Sequence, residues 1–394
     1  MAQSRTAIGP RLALAAVNAS VFGLCYLLAN AHARQRGVLR HVALPFEAGM
    51  PFIPGFILPY LSSGPLFVAA FFLIRSRDDL RVLSQRLLLA TVLAAMVFVW
   101  FPLRYSTARP TVASNALAPL FDLLAAVDAP YNQLPSLHVA YCLILWLALG
   151  RLPRAAWARV ALGAWLALTA VATLFVHQHH LLDVLAGLGL GLLCRICVPP
   201  GRTEPRVGLY YAVAGGVAAV VGTVAWPPAP TVYASASLWL VALAYGRGDR
   251  HFLHKRAGRH PWWIWCLYAP YLLGYRLAWL VMAWRGRQRP AVVRIAPGLW
   301  IGRRLRDAEA TALPAACTVV DLAAELPETA ALRGHRYLHF PLLDIVTPPA
   351  DAVREIVASV RGELDAGRAV YLHCAMGLRR SVQIGQAVLA RSAP

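Results

Sequence analysis

Charge is scarce in this chain. Asp, Glu, Lys and Arg make up 14% of its 394 residues, against 59% that are hydrophobic. A soluble domain carries about 25% charged and about 45–50% apolar residues. The deficit excludes an ordinary soluble protein and predicts an integral membrane protein, with a bacterial inner membrane the expected setting. Acid is scarcer than base, 18 residues against 38, and Lys255 is the single lysine, so arginine carries nearly all of the +20 formal charge. The arginines lie in short loops between apolar runs, without a basic patch interleaved with aromatics. That pattern excludes nucleic acid as a partner and points to loop orientation and anionic lipid. The seven cysteines show no disulfide framework. Cys194 and Cys197 form one CxxC with no second pair, which predicts packing rather than a metal or redox centre. Internal repeats and low-complexity tracts are absent. The apolar run after Arg5 and Arg11 lacks a small-residue cleavage site and reads as a retained first helix.

What is present is a series of apolar runs near the roughly 20 residues a bilayer requires. Spans are expected at 12–31, 55–74, 87–103, 136–150, 157–176 and 181–198, then at 208–226 and 231–245. Arginine clusters at 75–86, 151–159, 202–206 and 247–259 share one side with the N-terminus, which makes that side cytoplasmic. Arg34, Arg36 and Arg40 fall on the other side, against the rule. Segment 262–284 is apolar and rich in tryptophan but holds Pro270 and Arg276, so it reads as a broken, interfacial or re-entrant pair of helices. From about residue 291 acids return and the pattern becomes strand–helix: strands at 316–322, 337–343 and 369–372, and a helix at 350–364 with Val353, Ile356, Val357 and Val360 on one face. That is a small α/β domain. The domains expected are a membrane domain over 1–205, additional membrane or interfacial helices over 206–288, and the α/β domain over 289–394.

Span parity brings Arg104, Arg109, His138, His179 and Asp183 to one membrane face. The set suits phosphoryl transfer. Guanidinium holds phosphate oxygens in bidentate fashion. One histidine can attack phosphorus to give a phosphohistidine, and the other can protonate the leaving alkoxide. An aspartate four residues after the nucleophile can fix its tautomer.

At Pro135-Ser136-Leu137-His138-Val139 and His179-His180-Leu181-Leu182-Asp183-Val184 the chain resembles the type 2 phosphatidic acid phosphatase superfamily, most closely its inositol phosphorylceramide synthase-like branch. The resemblance covers spans 1 to 6. It implies a six-helix core, His179 as nucleophile, His138 as general acid and Asp183 as the partner of His179. It also implies Arg109, with Arg104 and Ser136, in phosphate binding. His177 and His180 read as neighbours rather than catalysts. The lysine that opens the family's first motif is replaced by Pro102, and an arginine of its third motif by Thr173.

A second signature lies near the C-terminus, in His373-Cys374-Ala375-Met376-Gly377-Leu378-Arg379-Arg380-Ser381. Cys374 and Arg380 have the CxxxxxR spacing, after a strand and before a helix. Such a loop aims backbone N–H groups at a phosphate, and its field favours a thiolate nucleophile. Arg380 would clamp the phosphate, Gly377 permits close backbone approach, Ser381 would hydrogen-bond the departing thiolate, and Asp344 would be the general acid. His373 reads as loop support. The segment resembles the dual-specificity branch of the protein tyrosine phosphatases, with 297–302 similar to that family's opening strand and 319–322 to its second. The chain runs thirteen residues past Ser381, so Val382, Ile384, Val388 and Leu389 are expected to have little to pack against.

Together these readings predict a mostly α-helical polytopic membrane protein with a C-terminal α/β phosphatase-like domain. It would hydrolyse lipid phosphate monoesters at two sites, with a phospholipid or other lipid phosphate as substrate and no metal or cofactor. The alternatives are phosphotransfer in lipid headgroup synthesis and a membrane-anchored phosphoprotein phosphatase.

Overall fold

The computed structural model describes residues 7–107, 112, 116–153, 155–200, 206–223, 228–288 and 290–390. They divide into two compact units, residues 1–203 with 213–235, and residues 204–212 with 236–394. The cut differs from the expected boundaries at 205 and 288, because the helix following residue 261 clusters with the α/β part.

The first unit is helical. Its main elements are α1 (Ile8–Gln35), α2 (Ile57–Leu73), α3 (Arg77–Trp100), α4 (Ala118–Val127), α5 (Leu137–Leu149), α6 (Ala156–Phe175) and α7 (Leu181–Cys197). Helices α8 (Val207–Val221) and α9 (Ala229–Arg247) are each shared between the units. Among the described residues, five helices are long and apolar enough to cross a membrane, at 8–35, 54–73, 77–100, 156–175 and 262–285, which fits an integral membrane protein. The α5 helix is shorter, 13 residues or about 20 Å at 1.5 Å per residue, and is largely buried among its neighbours. One expectation is corrected. The arginine-rich stretch before span 3 is no loop: α3 begins at Arg77, where Ser76 accepts from Asp79 N and Asp78 and Asp79 face the positive helix end. Arg86 is therefore inside the helix, buried, with Nε donating to Val198 O at 3.0 Å. The amphipathic α4 had not been anticipated.

The second unit joins α10 (Trp262–Arg285) to a five-stranded sheet. The expected break in 262–284 is present: two helical stretches meet at a kink at Tyr268 (φ −121°, ψ 17°), and α10 denotes the two together. Pro270 lacks an N–H and crowds the preceding turn, which accounts for the break there. The strands are β1 (Val292–Ala296), β2 (Leu299–Arg303), β3 (Cys317–Ala323), β4 (Arg336–Leu342) and β5 (Ala369–Cys374), in the order β1-β2-β5-β3-β4, with β1 antiparallel to β2 and the rest parallel. A short helix α11 (Ala330–Arg333) precedes β4, while α12 (Ala350–Asp365) and α13 (Arg380–Ala390) flank β5 in sequence. The apolar face of α12 is buried as its period requires. Contrary to expectation, Ile384 and Val388 of α13 are also buried, in one cluster with Ile356, Val357, Val360 and the strands, so α12 and the sheet supply the packing that α13 needs.

Candidate functional site

In the first unit the site forms where α5 and α7 begin. Ser136 caps α5, its hydroxyl accepting from Val139 N, and its own N–H donates to Asp183 O at 2.9 Å. The two helices then run close because α7 offers glycine: a Cβ at Gly187 would lie 2.5 Å from Ser136 O, and one at Gly191 would lie 2.9 Å from Leu143 Cδ2. This crossing brings His138, on the first turn of α5, opposite His179, just before α7, with ring centroids 6.2 Å apart. His138 stacks on Tyr60 at 4.5 Å. Asp183 is fully buried, with Oδ2 accepting from His180 N at 2.8 Å and lying 3.6 Å from His179 Nδ1. The aspartate therefore faces Nδ1 and leaves Nε2 as the opposite nitrogen of the ring.

Glu47 escaped the sequence reading. Its Oε1 accepts from Leu181 N at 2.7 Å, its Oε2 accepts from Leu44 N at 2.6 Å, and Oε1 lies 3.6 Å from His180 Nδ1. The His180 Nε2 accepts from Ser106 N at 3.3 Å, and the ring stacks on Tyr105 at 4.3 Å. Both nitrogens of His180 thus face protein groups, as suits a neighbour of the site. The sequence held one signal: Glu47 is the only carboxylate in the first 77 residues. Asp128 was also missed. It accepts from Tyr26 OH at 2.5 Å and lies 3.4 Å from Tyr60 OH. With Arg104, Tyr105, Gln133, His177 and Gln178 it lines a cavity of about 330 Å³. Arg109 lies outside the described residues.

In the second unit, β5 ends at Cys374 and α13 starts at Arg380, the strand–loop–helix order the spacing predicts. Neighbouring β2 fixes the loop. Arg304 N donates to Cys374 O at 2.8 Å and to Ala375 O at 3.2 Å. With these carbonyls turned to Arg304, planar trans peptides point the N–H groups of Ala375 and Met376 the other way. Gly377 has φ +69°, and a Cβ there would stand 2.7 Å from Arg303 N; the close approach it permits is to β2. The Ser381 hydroxyl lies 3.5 Å from Cys374 Sγ and donates to Gly302 O at 3.2 Å.

Arg380 is buried and heavily engaged. Nη1 donates to both Glu325 oxygens at 3.0 Å and to Leu342 O at 2.7 Å, while Nη2 lies 3.3 Å from Asp344 Oδ1. Burial opposes the charge, but Glu325, then Tyr275 and Asp344, outweigh it and hold the guanidinium well above its ordinary range. Glu325 was missed by the sequence reading, being an unremarkable acid fifty-five residues before its partner.

Three buried groups have metal-ligand character, Asp321, Glu328 and His373. Cations already serve them: Lys255 Nζ lies 2.5 Å from Asp321 and Arg304 Nε lies 3.7 Å from Glu328. His373 bridges the pair, with Nε2 3.3 Å from Glu328 and Nδ1 3.9 Å from Asp321, so the set reads as an ion-pair network beneath the loop.

No curated protein and no solved structure matches the chain. Residues 60–196, which include His138, His179 and Asp183, match the family model of the PAP2 superfamily, which supports a phosphatase or phosphotransferase acting on phosphate esters such as lipid phosphates.

Proposed function

We propose that the protein is a two-headed phosphatase of lipid phosphate monoesters. At the membrane head His179 attacks phosphorus through Nε2, Asp183 orients its ring, and His138 protonates the leaving alkoxide. Water then attacks the phosphohistidine and releases phosphate. The observation that carries this reading is the placement of His138 across from His179, 6.2 Å between rings, with a buried carboxylate behind the second histidine.

At the second head Cys374 thiolate attacks phosphorus, the loop N–H groups and Arg380 hold the phosphoryl oxygens, and Asp344 protonates the leaving oxygen. Hydrolysis of the phosphocysteine closes the cycle, with Ser381 stabilising the departing thiolate. Support comes from the loop geometry and from the 3.3 Å approach of Asp344 to Arg380. Arginine placement supports an outward-facing histidine head, while a cytoplasmic cysteine head further requires that α10 does not cross the membrane.

Activity against a panel of lipid phosphates tests both heads. His179→Ala should remove one set of substrates and Cys374→Ser the other. Retention of the whole profile by either variant would refute that head. Product analysis with added inositol or glycerol separates hydrolysis from transfer to a headgroup alcohol.

A further inference from the structure

The guanidinium of Arg380 has two unlike edges. Nη1 is enclosed by Glu325 and the carbonyls of Leu342 and Leu322. The edge formed by Nε and Nη2 is the one left for a phosphate to bridge. Nε is buried with no hydrogen-bond partner among the described residues, which is costly for a charged donor unless a ligand supplies the acceptor. Nη2 donates to the hydroxyl of Tyr275 at 3.0 Å, its nearest partner, and lies 3.3 Å from Asp344 Oδ1; the same hydroxyl donates to Asp344 Oδ2 at 2.8 Å. Tyr275 belongs to α10. One turn later Trp279 of the same helix packs with Ala375 and Met376 of the phosphate loop. The helix thus lies against the loop, and its tyrosine stands between the two residues that a phosphate ester would have to engage.

We propose that Tyr275 is a gate and specificity residue of the cysteine site. Its hydroxyl holds the position of one phosphate oxygen on Arg380 Nη2. An entering phosphate monoester takes Nη2 together with the unpartnered Nε, and Tyr275 keeps its bond to Asp344, the acid that must meet the leaving oxygen. The proposal rests on reading Cys374 and Arg380 as a phosphatase site. It assigns to α10, a helix outside the loop motif, the control of access to that site.

The test uses the full chain carrying His179→Ala, so that only the cysteine head can turn over, with a small aryl phosphate as substrate and inorganic phosphate as competitor. Removing the competing hydroxyl in Tyr275→Phe should lower KM and the inhibition constant for inorganic phosphate together, by about tenfold. Tyr275→Leu serves where Tyr275→Phe fails to fold, with the same expected fall. Titration of inorganic phosphate into the Cys374→Ser chain, with and without Tyr275→Phe, reads the gate without turnover and should show the same tightening. Unchanged or weaker phosphate binding would overturn the gate, since a purely structural tyrosine would lower kcat without tightening the anion. Turnover that survives Cys374→Ser in the His179→Ala background would instead overturn the reading of the cysteine site.

Discussion

The ammonium of Lys255, the one lysine in the chain, lies 2.5 Å from Asp321 Oδ2, and both side chains are almost wholly buried. Burial pushes the Asp321 carboxyl up, but Lys255, then His373 and His339, outweigh it and hold it below the usual carboxylate range. Lys255→Met should destabilise the second unit by about 3–5 kcal/mol, because it leaves a buried charge unpaired, and adding Asp321→Leu should recover much of the loss. Hydrogen exchange at the amides of β3 and β5 would measure both changes.

Glu363 offers a pH test. Its carboxylate accepts from Arg368 Nε at 2.6 Å, Thr318 Oγ1 at 2.7 Å and Arg336 Nε at 3.1 Å, and these bonds, that to Arg368 first, pull it down to about 2. A depressed acid stabilises the fold above its unfolded value, about 4.3, and that contribution is lost as pH falls toward 2. Both arginines are partly exposed, so the expected loss is about 1–2 kcal/mol after screening. In Glu363→Gln this part of the acid-side slope should vanish, as followed by thermal unfolding between pH 6 and 2.

At the membrane head, His179→Ala should abolish turnover of histidine-site substrates. Asp183→Asn retains an oxygen to accept from His180 N and should cost about 10²–10⁴-fold in kcat through the lost orientation of His179. A variant with near-native kcat would remove Asp183 from the mechanism.

Glu47→Ala deletes the acceptors for Leu181 N and Leu44 N and frees the start of α7, where His179 is held. A displacement of the order of 1 Å there would lower kcat about 10²-fold. Glu47→Gln, which keeps one acceptor oxygen, should restore most of it. Equal losses in both variants would point to charge instead of position.

Gly377→Ala combines a strained φ with a clash against β2, and should release the loop from the strand. The cysteine head would lose turnover while histidine-site activity stays within about twofold of the parent. Paired assays on one preparation would show it.

Much of this was legible because the features are local. Apolar run length gave the helices, period gave the buried face of α12, and the CxxxxxR spacing gave the strand–loop–helix around Cys374. Span parity brought His138 and His179 to one face, and the structure brings their rings together. What the sequence did not reveal is set by partners far along the chain. Glu47 meets α7 across 134 residues, and Tyr275 meets Arg380 across 105. The burial of Ile384 and Val388 depends on how α12 covers the sheet, which no local pattern in the sequence carries. The break in segment 262–284, by contrast, is legible from Pro270, which removes a backbone donor two residues after the kink at Tyr268.

The bonds from Arg304 N to the carbonyls of Cys374 and Ala375 have a thermodynamic consequence. The loop takes its shape from the strand beside it, with no anion needed to mould it. An anion arriving there finds the backbone donors of the loop already aligned, so little conformational entropy of the loop is lost on binding. Affinity then depends on the charge and fit of the phosphate and on the displacement of Tyr275, and hydrogen-exchange protection of the loop should be nearly the same with and without an oxyanion.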